Sequence, residues 1–122
     1  MDNEAVKYAE INIRIGFNKD KMPVSIDWEA EDQPGGKRPE PCKAFLLSLF
    51  DREHRETLRM DLWTHEMQVM EMDRMMFHTL RGLADTYYKS TQNQEMAAAF
   101  QQFAQYFGEK TEIIPPATKS AE

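Results

Sequence analysis

Cysteine is nearly absent. The 122 residues hold one, Cys42, so neither an intrachain disulfide nor a cysteine-built metal cage can form. Long hydrophobic runs are lacking as well, and no stretch approaches the ~20 apolar residues of a membrane-spanning helix. The start, Met1-Asp2-Asn3-Glu4-Ala5-Val6-Lys7, has neither the positive charge nor the unbroken apolar segment of a signal peptide. These absences predict a cytoplasmic chain with no membrane insertion. Basic clusters are missing too: net charge is −6, and Lys37, Arg38, Arg52, Arg55 and Arg59 all stand among acids. Such a surface does not track phosphate, which argues against nucleic acid and anionic lipid as partners. The five glycines (Gly16, Gly35, Gly36, Gly82 and Gly108) show no phosphate-cradling spacing.

What is present is a globular composition, 41% apolar and 30% charged. The length suits one domain; residues 1–110 are expected to form it, with 111–122 as a flexible tail. The first half alternates with period two. Ile11, Ile13, Ile15 and Phe17 point one way against Asn12 and Arg14, and Val24, Ile26 and Trp28 repeat the pattern after a polar turn. Glu29 to Pro41 reads as a long Pro/Gly loop. Ala44 to Phe50 is apolar on both faces, as a central strand would be, and Thr57 to Trp63 alternates again, with Leu58, Met60 and Leu62 inward and Arg59, Asp61 and Trp63 outward.

The second half changes period. Five methionines (Met67, Met70, Met72, Met75 and Met76) fall within ten residues, in a stretch whose apolar residues recur at helical spacing. At about 100° per residue, Val69, Met72, Met76, Leu80, Leu83 and Tyr87 make one stripe. Met70, Phe77, Ala84 and Tyr88 make a second. Thr64 is the expected N-cap. Thr91 to Gln94 has capping-box spacing and opens another helix, with Met96, Phe100, Phe103 and Phe107 as its apolar face and Gly108 as its stop. The expected fold is α+β: a four-stranded antiparallel sheet over residues ~8–63, then a helical hairpin (~65–89 and ~93–107) packed on one face.

Catalytic apparatus is harder to find. His54, His65 and His78 have no i, i+4 partner and no His-Glu-x-x-His setting. Asp27, Glu29, Glu31 and Asp32 form an acidic cluster that reads as a solvated rim. Ser48 lacks a nucleophile elbow, and Cys42 has no nearby base in sequence. No catalytic residue, metal or cofactor is expected, and the chain is read as a non-enzyme. The positive signal is apolar surface: methionines are over-used where a surface adapts to partners. Met70, Phe77 and Tyr88 on the second helix stripe, with Trp63 on the outer face of the sheet, are the candidate interaction residues.

Ile26-Asp27-Trp28, Leu46-Leu47-Ser48-Leu49-Phe50-Asp51 and Leu58-Arg59-Met60-Asp61-Leu62-Trp63-Thr64 are followed by Met67, Val69, Phe77-His78-Thr79-Leu80, Ala84-Asp85-Thr86 and Phe107-Gly108-Glu109-Lys110. In that order and spacing the chain resembles the GldC family of gliding-motility proteins. The resemblance implies a cytoplasmic accessory protein without known enzymatic activity, and it carries no site residue. Family members tend to have proline where this chain has Gln68, which would start their first helix near residue 69. Three functions follow as expectations. The first is an accessory module acting by protein–protein contact or self-association. The second, by analogy of strand and helix order with the SecB fold class, is an acidic export chaperone holding unfolded chains. The third is a small-ligand binder using the acidic rim near Trp28.

Overall fold

The computed structural model describes residues 3–115. Five strands precede two helices: β1 (Ile11–Phe17), β2 (Pro23–Ala30), β3 (Glu40–Cys42), β4 (Ala44–Phe50), β5 (Thr57–Trp63), α1 (Val69–Thr91) and α2 (Gln94–Lys110). The chain divides into two compact units between Met67 and Gln68, so that the strands belong to the first and the helices to the second. β3 is an additional strand at the end of the stretch that reads as a loop, while the α+β class, with strands before helices, is as the sequence predicts. The single four-stranded sheet is not. Instead a three-stranded sheet, β1-β2-β3, is followed by a two-stranded one, β4-β5, with every pairing antiparallel.

In the first sheet, Ile15 lies opposite Ile26 and Ile13 opposite Trp28, and Cys42 flanks Ile26 from the other side. Ile26 is buried there. The β1–β2 ladder slips at Gly16/Phe17, a bulge, where a Cβ on Gly16 would collide with the Ser25 hydroxyl. Long though it is, the loop before β3 is ordered around one side chain. The buried Gln33 accepts the Ala30 and Arg38 N–H groups on Oε1, at 3.1 and 3.2 Å.

The break between sheets has a cause in the prolines. Carried past Cys42, the β2–β3 register would set Ala44 opposite Val24 and Phe45 opposite Pro23. Pro23 has no N–H to give, and the tight turn closed by the Asn18 N–H and the Met22 carbonyl follows immediately. The chain therefore changes partner at Lys43, whose carbonyl accepts the Thr64 N–H at 2.9 Å. From there β4 pairs with β5 alone, so the apolar run Ala44–Phe50 is not the central strand it resembles in sequence. Leu49, Phe50, Leu58 and Met60 of this ribbon are exposed.

Asp51 builds the turn that joins the ribbon. Its Oδ2 accepts the N–H groups of Glu53 and His54, at 3.1 and 2.6 Å, and lies 3.0 Å from His54 Nδ1. The His54 backbone and then its ring hold the Asp51 carboxyl below the usual aspartate range. Arg55 takes a positive φ of 58° to close the turn.

The second unit is a helical hairpin. Its first helix starts at Val69 and not near Thr64: the Met67 N–H closes one turn back onto the Thr64 carbonyl, Thr64 Oγ1 caps no amide, and Gln68 returns to an extended backbone. Gln68 is the N-cap, in a capping box with Glu71, whose carboxylate accepts the Gln68 N–H at 3.0 Å. Gln92, at a left-handed φ of 63°, ends α1, and the Asn93 side chain accepts the Met96 N–H at 3.1 Å to cap α2. The two helices meet through Phe77 and Ala84 of α1 and Ala97, Ala104 and Gly108 of α2, all buried. Gly108 lies within α2 and is not its stop; Lys110 is the last helical residue. A Cβ there would sit 2.6 Å from Phe77 Cε1 and 3.0 Å from Ile114 Cγ1. The carbonyl of Gly108 also accepts the Ile113 and Ile114 N–H groups, at 2.8 and 3.2 Å. Residues 116–122 of the expected tail lie outside the described residues.

Three outcomes follow. Gly108→Ala gains the helix propensity of alanine but overpacks the Phe77 ring, which costs ~1–3 kcal/mol, so thermal unfolding shows a net loss. Gly82→Ala in α1 meets nothing within 4 Å and stabilises by about 0.5–1 kcal/mol. The Asp51 carboxyl is depressed on folding, so its contribution is present above the unfolded value and is lost as pH falls through the lower folded value. The His54 amide resonance accordingly titrates with a midpoint below that of an ordinary aspartate, and Asp51→Asn, which keeps an acceptor oxygen, removes the titration.

Candidate functional site

The sequence-predicted interaction residues fall in both units. Trp63 ends β5 opposite Ala44 and is 55% exposed. Met70, 73% exposed, opens α1 beside a hollow that it lines with Gln68, Glu71, Asp73, Arg74 and residues 111–113. Tyr88, 41% exposed, borders a second hollow between the helices with Ala84, Asp85, Ala97 and Gln101. Phe77 is 3% exposed: its ring packs under Gly108, edge-on to His78 at 5.4 Å and 5.6 Å from the Arg81 guanidinium. The stripe is thus covered by α2 in its middle and bare at its ends. Met70 and Tyr88 share an azimuth but stand about 27 Å apart along the helix, at 1.5 Å per residue. They are two separate contact points and not one cluster.

Other apolar surface was hidden in the pattern. Leu58 and Met60, expected to point into a core, are exposed on the ribbon, as are Leu49 and Phe50. On α2, Phe103 and Tyr106 are exposed while Ala97, Ala104 and Gly108 are buried. Choosing the largest side chains as the core face misreads this helix. The usable signal was the stripe of small residues, which lets two backbones approach closely, with the aromatic rings displaced to the flanks.

The polar groups are spread and locally neutralised. Asp27 faces Arg14 at 3.9 Å, Glu31 pairs with Lys37 at 3.3 Å, and Glu40 pairs with Arg38. Two members of the acidic run, Asp27 and Glu31, thus answer to different cations, Arg14 and Lys37, and do not converge. Burial pushes the Cys42 thiol up, the Asp27 charge adds to the rise, and the Ala44 N–H partly opposes it. At neutral pH the sulfur is held as the thiol, the weaker nucleophile. Arg59 and Asp61, two apart on one face of β5, form an ion pair, and Asp61 Oδ1 is buried without a hydrogen-bond partner. Among the described residues no three His, Cys, Asp or Glu side chains gather as a metal site would need, and no helix is long and apolar enough to cross a membrane.

No curated protein and no solved structure matches the chain. The family model for gliding motility-associated proteins of the GldC-like type matches residues 23–113, from the first residue of β2 to just beyond α2. That span contains the strand switch at Lys43, the β4–β5 ribbon and the complete helical hairpin, together with all four candidate interaction residues. The chain belongs to the GldC-like family of gliding motility-associated proteins.

Proposed function

We propose that this protein is a non-enzymatic accessory of gliding motility, resident in the cytoplasm, that acts by contact with other proteins. One observation carries the reading. Large apolar side chains that a chain would ordinarily bury stand in solvent on both units: Phe50, Leu58, Met60 and Trp63 on the strands, and Met70, Tyr88, Phe103 and Tyr106 on the helices. Scattered exposed apolar residues are normal, whereas rows of them on one element mark a surface that meets another macromolecule. Trp and Tyr are the residue types that most often anchor such contacts, and Met adapts its shape to the partner. The family description supports the link to gliding. The pairing of the acidic side chains with arginines and lysine supports a binding surface over an acid–base site.

On this reading Met70 and Tyr88 are the anchors of the helical hairpin. Phe77 supports them from within as the residue that sets the spacing of the two helices. A photo-crosslinking residue introduced at Met70 or at Tyr88 traps discrete protein adducts in living cells of the native host. The same residue at Lys19, in the exposed polar turn between β1 and β2, traps none. Adduct-free chains at both anchors overturn the reading, and mass spectrometry of the adducts names the partners.

A further inference from the structure

The outer edge of β5 has no role in the contacts considered above. The phase of the β4–β5 ladder is set at both ends: Thr64 N–H donates to the Lys43 carbonyl at 2.9 Å, and Asp51 N–H to the Glu56 carbonyl at 2.8 Å, each pair continuing the β4–β5 register. In an antiparallel ladder the residues that exchange hydrogen bonds alternate along the strand. Even-numbered residues of β5 therefore turn their backbone groups toward β4, and Thr57, Arg59, Asp61 and Trp63 turn theirs outward. No described strand pairs with that edge. Of the devices that blunt an exposed edge it carries only charge, Arg59 and Asp61, and these two neutralise each other; its seven residues, Thr57–Trp63, include no proline, no lysine and no bulge.

The geometry points to a second copy of this chain as the occupant of that edge, joined antiparallel across a two-fold axis that sets Met60 against its own counterpart. Both outer edges are satisfied only when odd-numbered residues face odd-numbered residues, which leaves few registers. Setting Arg59 against Arg59 opposes like charges, and setting Asp61 against Asp61 does the same. The register centred on Met60 sets Arg59 opposite Asp61 of the second copy, and Asp61 opposite its Arg59. It also matches the strand over its full length, Thr57 to Trp63. Charge and overlap select the same alignment.

Side-chain chemistry on the other face agrees. Leu58 would meet Leu62 of the second copy, and Met60 would meet Met60. Leu58 and Met60 are 57% and 47% exposed in the single chain. Because Leu49 and Leu47 lie opposite them on β4, the pairing produces a four-stranded sheet with an unbroken apolar row. The β1 edge offers no equivalent. Its bulge at Gly16/Phe17 bends it, and the Glu31 N–H to Glu10 carbonyl bond fixes a phase in which full overlap would set Arg14 against Arg14. A foreign extended segment could bond to the β5 backbone, but it would not bring this reciprocal pair of charges.

This contact deepens the reading of a contact protein by naming one partner, and it rests on β5 alone. Sedimentation equilibrium of the full chain at micromolar concentration shows a dimer. Arg59→Glu and Asp61→Arg each create two like-charge pairs and raise the dissociation constant about tenfold or more, with circular dichroism unchanged. Mixing the two variants restores a dimer, because across the axis every charge again meets its opposite. The ion pair within each chain stays broken in that mixture, so the rescue reads the contact between chains. Oxidising a Met60→Cys, Cys42→Ser chain gives a disulfide-linked dimer, since non-hydrogen-bonded antiparallel pairs stand ~4.5 Å apart at Cα, within disulfide reach. A monomeric parent chain, single variants that dimerise as the parent does, or a mixture no tighter than its components overturns the inference. A chain that is monomeric but still gives adducts at Met70 and Tyr88 removes the second-copy contact and leaves the broader reading standing.

Discussion

The change of partner at Lys43 governs the first half of this molecule. One extended segment, Glu40 to Phe50, must serve two ladders, and the short distance between Cys42 and Ala44 leaves a single residue in which to switch. Pro23 ends what β2 can offer, so every residue of β4 depends on β5 for its hydrogen bonds. A two-stranded ribbon has little stability of its own in water. Here it is fastened at its base by the Lys43–Thr64 hydrogen bond and at its far end by the Asp51 turn. The exposed leucines, the free edge and the outward Trp63 are all products of that one switch.

Much of this was readable from residues alone, and the misses share a physical origin. Period-two alternation located Thr57–Trp63, and a run apolar on both faces located Ala44–Phe50, at their observed bounds, because local side-chain pattern decides where a strand is. It does not decide which strands become neighbours, which here depended on a proline in a different element. Thr64 had the chemistry of a cap, but its hydroxyl is buried without an amide to accept, and the helix begins at the box of Gln68 and Glu71. The family pattern, with helix entry near residue 69, was the better guide there than the hydroxyl.

The candidate residues tell a similar story. Period alone placed Met70, Phe77, Ala84 and Tyr88 on one stripe of α1, and they do share it. Which of them are covered depends on where α2 lies, and that was written in Ala97, Ala104 and Gly108 and not in the phenylalanines. Small residues draw two helices together until the Phe77 ring fills the gap, and the aromatic side chains of α2 are left on its flanks. Size, read as a proxy for burial, pointed the wrong way on this helix. The hairpin is narrow as a result, and its bulk is presented outward.

The bulge at Gly16/Phe17 has a further consequence when set beside the straight edge of β5. A chain with two matching edges can add copies at both and grow without end, as cross-β assemblies do. With β1 bent away, the three-stranded sheet loses one straight edge, and an isologous contact uses the β5 edge completely on both sides. Growth through β5 therefore stops at the first step. A local irregularity in one strand removes one of the edges at which copies could add, and closure across the two-fold axis removes another.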